Sequence, residues 1–448
     1  MGRKRSHIAP GAIVFLSFIG LIIVGALALM HPACRTQAIS FIDILFTATS
    51  ATCITGLFTI SLDQFTTMGH AVILALIQIG GLGLITLSVF MISLFGNLGL
   101  TTKLVAGELL DLDESRNLRS IISFVVRVTL CVELIGAALA FFVFRENFSD
   151  TYAFFLSLFH SISSFCNAGV TLFDTNLLMY GKSVLLMVIT MVLMLFGGFG
   201  FVTWQEIVQY CRSLSKRKRY AFSLHSRIIL YGSAILILFT TFIILSLEYK
   251  GALAPFNMPF RMFNALFQAI SFRSAGFLTL PLAALHPATL LVALGIAFIG
   301  ASPLSTGSGI KITTFAVMLA TVKAALAGRM TVRIGNRQIA FTQVYKALAI
   351  AIISVFWILF TIFCLMITEQ QATFYQIFVE SISAFANLGI STGYTPHLSS
   401  TGKLFIMASM LVGRVGSVTL ILALRKLALG NEQNGTEYTY PEERVMLS

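Results

Sequence analysis

Four short segments of the chain share one pattern: an apolar stretch of about ten residues that closes on a glycine. They end as Ser50-Ala51-Thr52-Cys53-Ile54-Thr55-Gly56, Ser163-Ser164-Phe165-Cys166-Asn167-Ala168-Gly169, Ile270-Ser271-Phe272-Arg273-Ser274-Ala275-Gly276 and Ser383-Ala384-Phe385-Ala386-Asn387-Leu388-Gly389. Successive glycines stand 113, 107 and 113 residues apart. A second landmark follows each: Gly80-Gly81-Leu82-Gly83, Gly197-Gly198-Phe199-Gly200, Gly300-Ala301-Ser302-Pro303 and Gly413-Arg414-Val415-Gly416. From each first glycine to the second residue of its landmark the offsets are 25, 29, 25 and 25. Two landmarks at matched offsets in four copies mark an internal repeat, which binds the chain to an architecture built from one unit.

Each copy reads alike. A long apolar helix, such as Ile121–Val143, precedes the short run, and a second long helix, such as Lys182–Trp204, follows it. Crossing ~30 Å of hydrocarbon takes about 20 helical residues, so the short run is a re-entrant half-helix. Non-helical backbone at membrane depth survives only where protein buries it or it lines a watery cavity. Four such loops imply a shared central pore. Two full spans per unit return the chain to the same side, which makes the repeats parallel rather than inverted. The expected fold is an all-α polytopic membrane protein with four parallel helix–pore loop–helix repeats, eight spans and four re-entrant half-helices. The repeats are expected at residues 1–105, 106–212, 213–326 (with a broken second helix) and 327–430, followed by a cytoplasmic tail at 431–448.

Composition agrees. Of 448 residues, 57% are hydrophobic and 11% charged, with a mean hydropathy of +0.90. A soluble chain carries about 25% charged residues. Soluble enzymes, disordered scaffolds and secreted disulfide mini-proteins are excluded. The net charge of +12 reads as basic cytoplasmic loops. The one dense run, Lys216-Arg217-Lys218-Arg219, suits anionic lipid and, without interleaved aromatics, not nucleic acid. Arg3, Lys4, Arg5, Lys103, Arg116, Arg329, Arg333, Arg337, Arg425 and Lys426 fall on the same side, so both termini are expected in the cytoplasm of a multi-pass cell (inner) membrane protein. The half-helices then enter from outside. The apolar run Ala12–Met30 is read as a retained first span rather than a cleaved signal. The six cysteines have neither metal nor disulfide-framework spacing.

Four half-helices aim their C-terminal ends at the membrane centre, where each supplies about half a negative charge. The extended segments beyond them offer carbonyls that replace a hydration shell. The expected filter comprises Cys53, Ile54, Thr55 and Gly56; Cys166, Asn167, Ala168 and Gly169; Arg273, Ser274, Ala275 and Gly276; and Ala386, Asn387, Leu388 and Gly389. A backbone cation site is expected at the carbonyls of Thr55, Ala168, Ala275 and Leu388. With no ring of acids, K⁺ fits better than Ca²⁺, which favours carboxylates. In the third unit, Gly300, Ala301, Ser302, Pro303, Leu304, Ser305, Thr306, Gly307, Ser308 and Gly309 break the second helix and are read as a gate. Arg414, mid-span in the fourth unit, is read as its electrostatic partner. Arg273 is expected to point behind the filter toward Glu380, and Asp43 to act as an acid at a helix N-terminus.

These motifs together resemble the Trk/Ktr/HKT superfamily of K⁺ transporters, most closely its KtrB-type membrane subunits. The resemblance is carried by Thr52–Leu57, Phe165–Gly169, Arg273–Phe277, Gly300–Lys311, Gly413–Gly416, Ser223-Leu224-His225 and Tyr440-Pro441-Glu442. It implies filter glycines at Gly56, Gly169, Gly276 and Gly389, a gating loop at Gly300–Gly309 and a gate arginine at Arg414. It further implies a membrane homodimer with one pore per subunit, a cytosolic ring of KtrA-type subunits binding ATP, ADP or NAD(H), and Na⁺-stimulated K⁺ uptake with no organic cofactor in this subunit. Cys53 departs from the Thr or Val usual in the family's first filter. Two other readings stand beside it. One is an alternating-access Na⁺/cation symporter. The other is a polytopic membrane enzyme in which Asp111-Leu112-Asp113-Glu114 holds Mg²⁺ for a prenyl diphosphate.

Overall fold

Inside hydrocarbon a backbone must satisfy its own polar groups, and the helix does so within one segment. The structure, a computed structural model, describes residues 10–82, 118–173, 175–217 and 220–416. Its helices in order are α1 (Pro10–Met30), α2 (Phe41–Cys53), α3 (Thr67–Gly81), α4 (Leu118–Phe144), α5 (Asp150–Cys166), α6 (Val184–Gly198), α7 (Phe201–Ser215), α8 (Leu224–Glu248), α9 (Met258–Ser274), α10 (Pro287–Ile299), α11 (Ile312–Leu326), α12 (Phe341–Thr368), α13 (Phe374–Ala386) and α14 (Ser400–Val415). The chain is mostly helical. An antiparallel hairpin of two-residue strands, β1 (Arg333–Ile334) and β2 (Arg337–Gln338), turns at Gly335 between α11 and α12. Arg3, Lys4, Arg5, Gly83, Lys103, Asp111–Glu114, Arg116, Lys218, Arg219, Arg425, Lys426, Tyr440–Glu442 and the expected tail at 431–448 lie outside the described residues.

Among the described residues, three helices are long and apolar enough to cross a membrane: α4, from Ser123, α8 and α12. Their outer faces are apolar and exposed, with Phe242 70% and Phe356 69% accessible. The half-length helices are the reverse. Phe46, Phe159, Phe165, Phe267 and Phe272, on α2, α5 and α9, are fully buried. Greasy residues outside and half-helices inside is the inversion that a lipid solvent imposes, since lipid tails impose no penalty on exposed apolar side chains.

The continuous second span expected over Lys182–Trp204 is instead two helices, α6 and α7, bent by 105°. The bend falls at Gly200, whose φ of 79° is in the left-handed region open to glycine. The reason is tertiary. The backbone of the third unit's broken helix crosses there, with Pro303 O against Gly200 and Phe201 N donating to Leu304 O at 3.2 Å. Gly416, at the matching place after α14, also has positive φ (93°).

Two carboxylates tie first helices to second ones. Glu248, last in α8, accepts from His286 N (2.8 Å) and Thr289 Oγ1 (2.5 Å) at the start of α10. Glu369, just after α12, accepts from Ser399 N (3.1 Å) and Ser399 Oγ (2.5 Å) at the start of α14. A helix N-terminus has unpaired N–H groups and a partial positive charge, so a buried carboxylate is stable there. Glu369→Leu leaves the part-buried Ser399 N–H without that acceptor. It is expected to cost about 2 kcal/mol and to lower the unfolding temperature in detergent.

Candidate functional site

The site begins where the half-helices stop. α2, α5 and α13 are each closed by one residue in the left-handed conformation: Ile54 (φ 59°), Asn167 (59°) and Asn387 (51°). The following N–H reaches back into the helix, Thr55 to Ser50 O (2.8 Å), Ala168 to Ser163 O (2.8 Å) and Leu388 to Ser383 O (2.9 Å). This closure reverses the chain and spends the donors that would otherwise face the axis. Asparagine tolerates the conformation, whereas β-branched Ile54 is strained in it. The third copy differs. α9 runs on to Ser274, and Gly276 N returns to Ser271 O at 3.1 Å.

Each chain then passes through its glycine, all with positive φ: Gly56 (81°), Gly169 (65°), Gly276 (74°) and Gly389 (80°). Their surroundings close a circle. A Cβ on Gly56 would meet Ala168 O, on Gly169 Ala275 O, on Gly276 Leu388 O and on Gly389 Thr55 O, each nearer than 3.0 Å. The four strands therefore abut in cyclic order, each glycine against the carbonyl that precedes the next glycine. The carbonyl-bearing residues are the four expected to form the backbone cation site. Thr55 Oγ1 donates to Asn387 Oδ1 at 2.6 Å, and Asn387 Nδ2 to Met410 O at 3.2 Å, locking the first strand to the fourth.

The second landmark also has a physical cause. A Cβ on Gly80 would meet Thr52 O, on Gly197 Phe165 O and on Gly413 Phe385 O. In each case the carbonyl lies four residues before the filter glycine, at the half-helix C-terminus. The following helix passes so close to the half-helix end that only glycine fits. In the third unit Gly300 instead has φ 64° and faces Ser308 O of its own loop.

That loop joins α10 to α11 and lies across the other units. Ser302 Oγ donates to Gly198 O (2.8 Å), Thr306 N to Gly197 O (3.1 Å) and Thr306 Oγ1 to Phe165 O (3.2 Å). Asn167 Nδ2 donates to Thr306 Oγ1 at 2.7 Å, and Lys311 Nζ to Gly307 O at 2.6 Å. Arg414 meets the loop from the opposite side. Its guanidinium donates to Thr306 O, to Ser308 Oγ (3.3 Å) and to Gly80 O (2.5 Å). A 5%-exposed arginine thus rests on carbonyls and a hydroxyl of residues far away in the sequence, with no carboxylate among its hydrogen-bond partners in the described residues.

The pairing expected between Arg273 and Glu380 is not made. The Arg273 guanidinium donates to Gly198 O (3.2 Å) and stands 5.8 Å from the Phe199 ring. Glu380 is already filled by donors from the loop beyond its own filter strand: Ser391 Oγ (2.5 Å), Thr392 N (3.1 Å) and Thr395 Oγ1 (2.6 Å). Asp43 lies in the first turn of α2 as expected and accepts from Ser40 Oγ at 2.6 Å. It also accepts from Lys403 Nζ of α14 at 2.7 Å, a pairing across 360 residues that no local pattern signals.

The cation transport protein family TrkH matches residues 12–433. The chain is 36% identical over 433 residues to the Ktr system potassium uptake protein B of Bacillus subtilis (strain 168), covering 96% of each chain. It is 30% identical over 453 residues to the potassium/sodium uptake protein NtpJ of Enterococcus hirae, covering 99% of this chain and 98% of that one. Its fold is similar to the crystal structure of the potassium transporter TrkH from Vibrio parahaemolyticus, with a TM-score of 0.75 and 19% identity, covering 95% of this chain and 86% of that one.

Paired glycine substitutions test the close approach. Gly413→Ala drives a methyl into a backbone carbonyl and is expected to cost roughly 3 kcal/mol or more. Gly295→Ala, in a helix where nothing lies within 4 Å, is expected to be neutral or to stabilise by about 0.5–1 kcal/mol. Thermal unfolding of the two purified variants separates them.

Proposed function

The chain belongs to the TrkH family of cation transport proteins, and on that premise we propose that it is the pore-forming subunit of a channel-like K⁺ uptake system. The observation that carries the reading is the closed ring of four glycine-bearing strands, each against the carbonyl before the next glycine. K⁺ is supported by the weak field of backbone carbonyls with no acid ring, and by the potassium uptake designations of the relatives. The proposed architecture is four parallel units at 1–105, 106–212, 213–326 and 327–430, with eight spans, four re-entrant half-helices and both termini cytoplasmic in the cell membrane.

In this reading the carbonyls of Thr55, Ala168, Ala275 and Leu388 replace water around the ion, aided by the negative ends of the half-helices. The Gly300–Gly309 loop blocks the path beneath, and Arg414 pins it. The arginine opposes the cation electrostatically while it rests on Thr306 O and Gly80 O. Withdrawing the loop removes both obstacles together. The mention of sodium in the NtpJ relative's designation supports Na⁺ stimulation. The Ktr system designation supports a partner subunit, for which a KtrA-type nucleotide-binding ring beneath a homodimer is proposed.

The ⁸⁶Rb⁺ uptake of proteoliposomes tests the pore, with Na⁺ present or absent and with a KtrA-type partner added. Gly56→Ser should reduce uptake roughly tenfold or more while the protein still folds, because its side chain meets Ala168 O. Undiminished uptake overturns the filter, and flux that never exceeds carrier rates favours the alternating-access symporter. Arg414→Ala should raise uptake in the absence of the partner by releasing the loop. Unchanged flux kinetics overturn the gate assignment.

A further inference from the structure

Most buried carboxylates in this protein are saturated with donors, as Glu248, Glu369 and Glu380 are. Glu133, on α4, is not. It is 2% exposed, and among the described residues its Oε2 accepts a single bond, from Gln78 Nε2 of α3 at 3.0 Å. Among the described residues, Glu133 Oε1, Gln78 Oε1 and Thr129 Oγ1 have no hydrogen-bond partner. Thr129, itself fully buried, lies four residues before Glu133, on the same face of α4. Its hydroxyl does not make the bond to the carbonyl four residues back that Thr47, Thr49, Thr190, Thr240 and Thr361 all make. The ion pair seen among the described residues, Lys403 with Asp43, involves none of them.

A carboxylate in an apolar interior needs a compensating positive charge or a proton. We propose that Gln78, Thr129 and Glu133 form a binding site for a small monovalent cation, Na⁺, behind the conduction path. The site supplies one negative charge and two neutral oxygens. A divalent ion would leave an uncompensated positive charge in the same low dielectric. A carboxylate is a stronger-field ligand than the dipolar carbonyls of the filter, so it suits the smaller Na⁺ where the filter suits K⁺.

The position connects the site to the pore. Glu133 O accepts from Ser161 Oγ of half-helix α5 at 2.6 Å. Gln78 stands two residues before Gly80, whose carbonyl holds Arg414. A Cβ on Gly81 would meet Cys166 Sγ, at the start of the second filter strand. A cation that clamps Gln78 to Glu133 fixes the turn of α3 that presents the Gly80 carbonyl to the arginine. Only this last link rests on the pore reading; the site itself does not.

The experiment is thermal unfolding of the full-length protein in detergent, in choline chloride, titrated with NaCl or KCl at constant ionic strength. Glu133→Gln keeps the shape and hydrogen bonding of a protonated acid but cannot neutralise a cation. The wild type should be stabilised by Na⁺, and Glu133→Gln should lose that response, its half-saturating Na⁺ rising by about tenfold or more. Thr129→Val, which removes one neutral ligand, should raise it less and carries the comparison if Glu133→Gln does not fold. Stabilisation by K⁺ through the filter should be equal in all three. An identical Na⁺ response in wild type and both variants, or none in the wild type, overturns the site and leaves a proton as the occupant of Glu133. Absent K⁺ stabilisation and absent ⁸⁶Rb⁺ uptake would count against the pore and not against this site.

Discussion

Everything near the axis follows from how closely a backbone can approach a carbonyl. Each of the four filter glycines lies against the carbonyl of the next strand, and the last returns to the first. A side chain at any of the four would push two strands apart and, because the contacts are cyclic, would open the whole ring. The same constraint recurs one layer below, where Gly80, Gly197 and Gly413 pass under Thr52 O, Phe165 O and Phe385 O. One closed ring and three tight contacts below it hold the half-helix ends in place. A packed arrangement of this kind has few alternatives, since protein interiors resist small volume changes.

The electrostatics are arranged by the same geometry. Four half-helix C-termini converge, which favours a cation. Arg414 is buried without a carboxylate partner among the described residues and relies on the carbonyls of Thr306 and Gly80 and on Ser308 Oγ. Carbonyl acceptors hold an arginine less firmly than a paired acid would. In the proposed gate, a lock built from them is released without breaking a buried ion pair. The third landmark differs from the others: Gly300 faces its own loop rather than a half-helix end. Bending α6 and α7 by 105° at Gly200 makes room for the loop's crossing.

The acids divide by what they meet. Glu248 and Glu369, each at the end of one helix, accept from the start of another, Glu380 braces the loop after α13, and Asp43 ties α2 to α14 through Lys403. Glu133 meets a single donor. That difference in saturation separates a bracing carboxylate from one left with capacity to bind.

The lengths of the short helices and the glycine positions were legible in the sequence, because each depends on local chain geometry: a run too short to span and a residue able to take positive φ. The break in the helix at Gly300–Gly309 was legible for the same reason. Partners were not. Arg273 donates to Gly198 O, Glu380 is filled by Ser391, and Asp43 finds Lys403 across 360 residues. The bend at Gly200 depends on a loop from another unit, and the Gln78–Glu133 contact on two helices from different units meeting. The sequence by itself determined what each unit is. The cyclic order in which the units meet, which only packing in three dimensions decides, determined which side chains pair.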